Sequence, residues 1–447
     1  MKIQIIGGNV LLPTGLKKID IELDSGIITK VKKNLKKDRA AVRLDASDRY
    51  ILPGFIDIHT NGIAGFDLTN GFYDFNKKRF SIGEENFLQG LDSSLKEYVK
   101  HGTTMVGYST LEASKNKLKK IFKIIAKYKN ESLSIYKDVL HGIYMEGTFM
   151  KDKRFRGAHN PKYFFKPSIN LFDEFQQAAG GNIRVVNVVP EWDKPAIDLI
   201  EYLASRNVVC AAGHTSATGD QYRKAIEKGL TLAIHLLNGP SSTSFKPFNN
   251  GGAIETVLKS DKMYVEIIPD GYHVDKAYVL DVIKRKGIDK CVAISDSMFV
   301  TKLKNIKEFE IYSIRGKISE NGKFISLVNQ EDKNSLFGSV LTMDQAFSNL
   351  LNWFTNPIDG VWNKIHDPFS FKDALLYASN MCSANPAKLF GIYSSRNNKI
   401  KTDRPYTGSI EVGKSGDIVI LDIKKTDKQF ETKIGQVLLK GNLVLRQ

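Results

Sequence analysis

The sequence predicts an α/β fold, a (β/α)8 TIM-type barrel with a small β-sandwich-like domain built from both chain termini. Three observations carry that prediction. Strand-like apolar runs alternate with helical patterns through the middle of the chain, both ends share a glycine-punctuated strand texture, and chemistry-bearing polar residues close most of the central runs. Strand–helix alternation argues for a parallel sheet covered by helices. Periodicity alone fits a doubly wound sheet equally well. The polar strand ends favour the barrel, because a barrel brings the C-terminal ends of all its strands to one face.

Residues 1–50 read as short strands, KIQII, KIDIEL and GIITKVKK, broken by Gly8, Pro13-Thr14-Gly15 and Ser25-Gly26. Such a meander is too small to stand alone. Residues 396–447 have the same texture and end in the hairpin-like LLKGNLVL, so the two ends are expected to join into one β domain. Residues 51–395 form the expected barrel. Its first strand is ILPGFIDI, followed by a helix around LQGLDSSLKEYVKHG, the strand TTMVGYS and a lysine-rich helix. In that helix Leu118, Ile121, Phe122 and Ile125 form an i, i+3, i+4, i+7 stripe with lysines opposite, an ordinary solvated helix. The strands KDVLHGIYM, IRVVNVVPE, NVVCAAG, LTLAIHL, MYVEIIPDG and CVAISDS follow, with helices through AIDLIEYLASRN, DQYRKAIEKG and VDKAYVLDVIKRKG. These strands read as near-continuous apolar runs, as buried parallel strands do. KNIKEFEIYSIRGKISENGKFISL resembles a small hairpin excursion, and NWFTNPIDGVWNKIHDPFSF a loop-rich detour.

A chain of 447 residues, 42% hydrophobic, can bury one large core and a smaller one, which excludes a disordered or disulfide-stapled protein. Cys210, Cys291 and Cys382 are too scattered for a metal knuckle, and a reducing cytoplasm fits them best. The first residues turn polar too soon for a signal peptide, and no apolar stretch reaches the ~20 residues of a membrane span. A balance of 65 Lys+Arg against 49 Asp+Glu gives +16, which attracts polyanions non-specifically. Without interleaved aromatics or a reader motif, it implies no specific nucleic-acid partner.

The chemistry lies in Glu146 of HGIYMEGTF, His214 of CAAGHTSAT, His235 of LAIHLLNGP and His59 of FIDIHTNG. Neutral imidazoles and a carboxylate suit a borderline divalent metal, and a catalytic site needs three protein donors plus an open position. Any one of these histidines, like His141, reads alone as a core or loop residue; the set does not.

The motifs PGFIDIHTNG (53–62), YMEGTF (144–149), RGAHNP (156–161), AAGHTSAT (211–218), IHLLNG (234–239), PDGYHVD (269–275), ISDS (294–297) and GSVLTM (338–343), followed by SANPAKLFGI and GSIEVGKSGDIVILD, run through nearly the whole chain. In this order and spacing they resemble the N-acetylglucosamine-6-phosphate deacetylases of the amidohydrolase superfamily. The resemblance implies a cytoplasmic homodimeric hydrolase of amino-sugar metabolism, taking acetate from N-acetylglucosamine 6-phosphate and using one divalent metal per subunit, zinc first, with iron, manganese or cobalt as alternatives. Glu146, His214 and His235 would be the principal ligands, and His59 would line the site or weakly support a second ion. Asn61 stands where the strand-one pair of histidines has its second member. Asp296 matches the acid/base aspartate, and His273 the histidine contacting the scissile amide. Ala158, His159, Asn238, Gly239, Leu336, Phe337 and Gly338 match substrate-contacting positions. His101 and His366 are read as structural.

The sequence departs from the family pattern at the phosphate. NGPSSTSFKPFNNGGAIE has no arginine where the family usually carries one. Lys246 would substitute as a point charge without the planar fork, aided by Asn249, Asn250 and the amides near Gly251 and Gly252. Thr148, Pro240, Tyr272 and Ser297 also replace usual residues. Amide hydrolysis is therefore read more firmly than the sugar, the galactosamine isomer and an unphosphorylated sugar being the rivals, with a catalytically silent binding barrel as a different class.

Overall fold

The computed structural model describes residues 1–238, 242, 251–304, 306–311, 314–328, 335–394, 405–427 and 429–446. Gly239, Pro240, Lys246, Asn249 and Asn250 lie outside the described residues. Eight strands form one parallel sheet: β1 (Phe55–Thr60), β2 (Thr103–Thr110), β3 (Leu140–Phe149), β4 (Ile183–Val188), β5 (Val209–Ala212), β6 (Leu230–Ala233), β7 (Tyr264–Ile267) and β8 (Cys291–Ala293). Each pairs in parallel with the next along the chain. The seam between β8 and β1 is tied just beyond the end of β8. Asp296 N–H donates to His59 O at 3.0 Å, Asn61 N–H to Ser297 O at 2.9 Å, and the Ser295 hydroxyl to Asp57 Oδ2 at 2.6 Å. Asp57 is fully buried there, and burial pushes its carboxyl up to about 7.

The covering helices have sequence reasons to form. α1 (Glu84–Lys100) opens with Glu84 and Glu85 at the positive end of its dipole. In α2 (Lys115–Glu131) Ser114 caps Lys117 N–H, and the predicted stripe of Leu118, Ile121, Phe122 and Ile125 is buried. α3 (Ile169–Ala178) is capped by Ser168. α4 (Lys194–Ser205) carries Pro195 in its first turn, α5 (Gly219–Lys228) has a Thr218–Gln221 capping box, and α6 (Ala253–Lys259) is one the sequence reading left out. α7 (Lys276–Lys286) is capped by Asp275, and α8 (Met343–Phe354) opens with a Thr342–Gln345 capping box.

The two ends of the chain do join. Asn9–Leu12, Gly15–Lys18 and Tyr50–Pro53 share a six-stranded sheet with Ile418–Lys425, Phe430–Leu439 and Asn442–Arg446. A four-stranded sheet of Lys2–Ile6, Asp20–Asp24, Ile27–Lys32 and Val42–Asp45 encloses with it a second core including Ile5, Ile21, Ile51, Ile418 and Leu438. The expected first barrel strand, ILPGFIDI, is divided, Ile51–Pro53 belonging to the six-stranded sheet and the barrel strand starting at Phe55, and two further details differ from expectation. The excursion after β8 is a three-stranded antiparallel sheet, Glu308–Ile311, Ile314–Ile318 and Ile325–Val328, rather than one hairpin. A small four-stranded sheet within residues 62–81 precedes α1, where its very short strands left no alternation to read. Among the described residues no helix is long and apolar enough to cross a membrane.

Candidate metal centre and active site

Glu146 sits near the end of β3 with its carboxylate at the meeting point of four imidazoles. Its Oε1 lies 3.2 Å from His235 Nε2 and 3.7 Å from both His214 Nε2 and His159 Nε2. Its Oε2 lies 3.3 Å from His59 Nε2 and accepts from the Ser109 hydroxyl at 3.4 Å. Among the described residues, two groups sharing Glu146 have donor atoms close enough for one ion, His59–Glu146–His235 and Glu146–His159–His214. Neither group is the expected trio: His235 falls in the first and His214 in the second, and the two meet at Glu146. His141, by contrast, lies near the opposite end of β3, against Phe390.

Each imidazole has its far nitrogen or backbone fixed by another group, which sets the ring that faces the centre. His214 Nδ1 is 3.0 Å from the Phe155 carbonyl, so Nδ1 carries the proton and Nε2 keeps its lone pair. Burial pushes the His214 pKa down to about 4, which keeps the ring neutral. His59 Nδ1 is 2.9 Å from Glu266 Oε2, which also accepts from the His235 backbone N–H at 3.1 Å. Burial works against a charge on His159, yet Glu112 and Glu146 outweigh it and lift its pKa to about 10. Asn187, from β4, bridges the strand ends by donating to Glu146 O at 2.9 Å and accepting from Gly213 N–H at 3.3 Å.

The donor set fits a divalent metal. His59 Nε2, which faces Glu146, is buried without a hydrogen-bond partner, and an unsatisfied polar atom in such a site is costly unless something binds it.

Asp296 and His273 face the same cavity of about 320 Å³, which Glu146, His214 and His235 also line. Asp296 Oδ1 accepts from Asn61 Nδ2 at 2.8 Å and lies 4.0 Å from His59 Nε2. Burial pushes its carboxyl upward. His273 Nδ1 donates to Asp270 Oδ2 at 2.6 Å, while Nε2 is buried with no partner. Both His214 and Asp296 have positive φ, 54° and 49°, conformations that cost of order 1–3 kcal/mol and cluster where a site over-determines them.

Ala158, His159, Asn238, Leu336, Phe337 and Gly338 all line this cavity, as does Asn61. Tyr272 stands at the rim, tilted against Phe324 of the three-stranded excursion at 5.2 Å. His101 and His366 are elsewhere, paired with Asp344 at 3.0 Å and Asp281 at 2.8 Å. Sequence reasoning assigned no part to Glu112, Glu266 or Asp270, although each holds a histidine of the site. Glu266 could have been found as a charge inside the apolar run MYVEII; Glu112 follows its strand and gives no such signal.

Gly157 makes the close loop approach possible. Its φ is +56°, and a Cβ there would lie 2.7 Å from His214 Cε1. Gly157→Ala is expected to displace the His214 ring and weaken metal binding by about 10-fold or more, the scale of losing a group that orients a ligand. Equilibrium dialysis against zinc checks this; an unchanged dissociation constant would show that the ring adjusts freely.

The family model described as the amidohydrolase family matches residues 50–444. The N-acetylglucosamine-6-phosphate deacetylase of Bacillus subtilis (strain 168) is 28% identical over 425 residues, 94% of this chain and 91% of its own length. The N-acetylgalactosamine-6-phosphate deacetylase of Escherichia coli O157:H7 is 24% identical over 373 residues, 83% of each chain. Among solved structures, the N-acetyl-D-glucosamine-6-phosphate deacetylase of Mycobacterium smegmatis superposes with a TM-score of 0.77 at 22% identity, over 99% of this chain and 100% of that one. At that identity the likeness speaks to the fold.

Proposed function

The chain belongs to the amidohydrolase family, and from that premise we propose that it hydrolyses the acetamide of N-acetylglucosamine 6-phosphate to glucosamine 6-phosphate and acetate. The observation that carries this is the convergence of Glu146, His214 and His235 with Asp296 and His273 on one cavity. Its volume of about 320 Å³ suits a small ligand.

A divalent ion held by Glu146, His214 and His235 would supply Lewis acidity, polarising the amide carbonyl and acidifying a water. The remaining work falls to the chain's own groups. Asp296, anchored through Oδ1 by Asn61, takes the proton of the attacking water and returns it to the departing nitrogen. Burial works against a charge on His273, but the Asp270 carboxylate on its Nδ1 outweighs it and raises its pKa, so the protonated ring presents Nε2–H to the carbonyl oxygen as negative charge develops there. Ala158, Asn238 and the Leu336–Gly338 run shape the wall that positions the sugar. Zinc is the first metal to try, with iron, manganese and cobalt beside it, since these donors accept all four.

The competing reading is the same chemistry on the galactosamine isomer, favoured by the curated relative of that activity. Acetate release from N-acetylglucosamine 6-phosphate, its galactosamine isomer and the unphosphorylated sugar, with each metal, tests the proposal. Turnover of the first alone supports it; turnover of another alone reassigns the substrate; none with any metal sinks the hydrolase reading.

We assign the phosphate to Lys246. Lys246→Ala is expected to raise KM for the phosphorylated sugar by about 10-fold, the value of one charge-assisted hydrogen bond, with kcat little changed. An unchanged KM would remove Lys246 from the phosphate site.

A further inference from the structure

His159 holds a position unlike that of the other wall residues. Its Nε2 is 3.7 Å from Glu146 Oε1, within the group that also includes His214. Its Nδ1 is 2.6 Å from Glu112 Oε2. The other oxygen of Glu112 accepts from the next backbone amide, Asn160 N–H, at 2.6 Å. One carboxylate therefore fixes both the ring and the chain that bears it, and both side chains are almost wholly buried. Room for that carboxylate depends on Gly147, where a Cβ would lie 2.8 Å from both Glu112 N and Glu112 Oε2. Glu112 thus packs against the backbone at Gly147, the residue that follows Glu146.

A carboxylate on the outer nitrogen of an imidazole whose inner nitrogen faces other donors is the arrangement that orients histidine ligands and raises their basicity. What separates His159 from His273, which has a similar carboxylate partner, is that its inner nitrogen lies within one group of metal-capable donors with Glu146 and His214. We infer that Glu112 and His159 form a carboxylate–histidine dyad that supplies a further protein ligand to the metal centre, with Glu112 as its positioning residue. The centre would then draw on Glu146, His159, His214 and His235, three donors carried at or just beyond strand ends and one, His159, carried by the loop after β3. The inference rests on the metal centre of the proposed function and is independent of the substrate.

The test is metal binding by the full-length chain, stripped with a chelator and titrated with cobalt(II) while its visible absorption is recorded. His159→Asn is expected to change the intensity and position of the cobalt band and to weaken binding at least 10-fold. Glu112→Gln, which keeps the shape but loses the charge, is expected to weaken binding by about 10–100-fold, as removal of an orienting partner does. Bands and affinities identical to those of the unaltered chain in both variants would overturn the inference. Should either variant fail to fold, imidazole 15N NMR of the unaltered zinc-loaded protein decides. A His159 Nε2 at a metal-bound shift supports the assignment, and an Nε2 that keeps its proton overturns it. Failure of the unaltered chain itself to bind cobalt or zinc would instead bring down the metal centre of the proposed function.

Discussion

Asp296→Asn will give a folded, metal-loaded protein whose acetate release is slower by about 10²–10⁴-fold, the usual contribution of a positioned general acid–base. The substitution isolates proton transfer unusually well. Asn keeps an Oδ1 acceptor for Asn61 Nδ2, now 2.8 Å away, and the backbone bond from residue 296 to His59 O is untouched. The φ of 49° at this position is one that Asn tolerates as readily as Asp, so no backbone strain is added. What disappears is an atom able to accept a proton. Because burial pushes the Asp296 carboxyl upward, and a base must be ionised to act, activity of the unaltered chain should fall as pH drops through that titration. The residual activity of the variant should lack this acid limb. Turnover within tenfold of the unaltered chain, with the limb preserved, would remove Asp296 from the reaction.

The barrel was legible because its strands are buried on both faces and so read as continuous apolar runs, VVCAAG and LTLAIHL among them, separated by amphipathic helices. Glu146, His214 and His235 were legible for the same reason: a polar residue at the end of such a run has little to do in the core. The partners that hold the histidines were not. Asp57 and Glu266 are charges within apolar strands, and that anomaly was open to view, but nothing local says that Glu266 reaches His59 across the barrel at 2.9 Å. Glu112 sits beyond the end of β2, and its pairing with His159 depends on a loop closing over it, a contact 47 positions apart in the chain. The sheet within residues 62–81 was missed because strands of two residues, such as Gly62–Ile63 and Phe66–Asp67, carry no periodicity. Its aromatic contacts, Tyr73 and Phe80 against Phe299, are what pack it beneath the loop after β8 that bears Asp296.

Glu146→Gln should abolish metal binding and turnover together while leaving the barrel folded. Burial works against a charge at this position, but the surrounding imidazoles, His59 and His159 foremost, hold the Glu146 carboxyl well below its ordinary range. Its two oxygens divide the cluster, Oε1 facing His235, His214 and His159 and Oε2 facing His59. Among the described residues, every candidate group of donors includes it. Gln has the same shape but no charge and is a poor donor to a borderline divalent ion, so the histidines are left without the anion that they share. Removing a buried charge also removes its desolvation cost, and the imidazoles can stay neutral, which is why the fold should survive. The discriminating readout is thermal unfolding with and without zinc. A ligand at 100 times its dissociation constant stabilises the native state by about 2.7 kcal/mol, so zinc should raise the Tm of the unaltered chain and leave that of Glu146→Gln unmoved. Turnover should fall by at least about 10³-fold, since both the polarised carbonyl and the acidified water depend on the ion. If the variant keeps its zinc-dependent rise in Tm, the histidines alone suffice to hold the ion, and Glu146 would be an acceptor that steadies their rings.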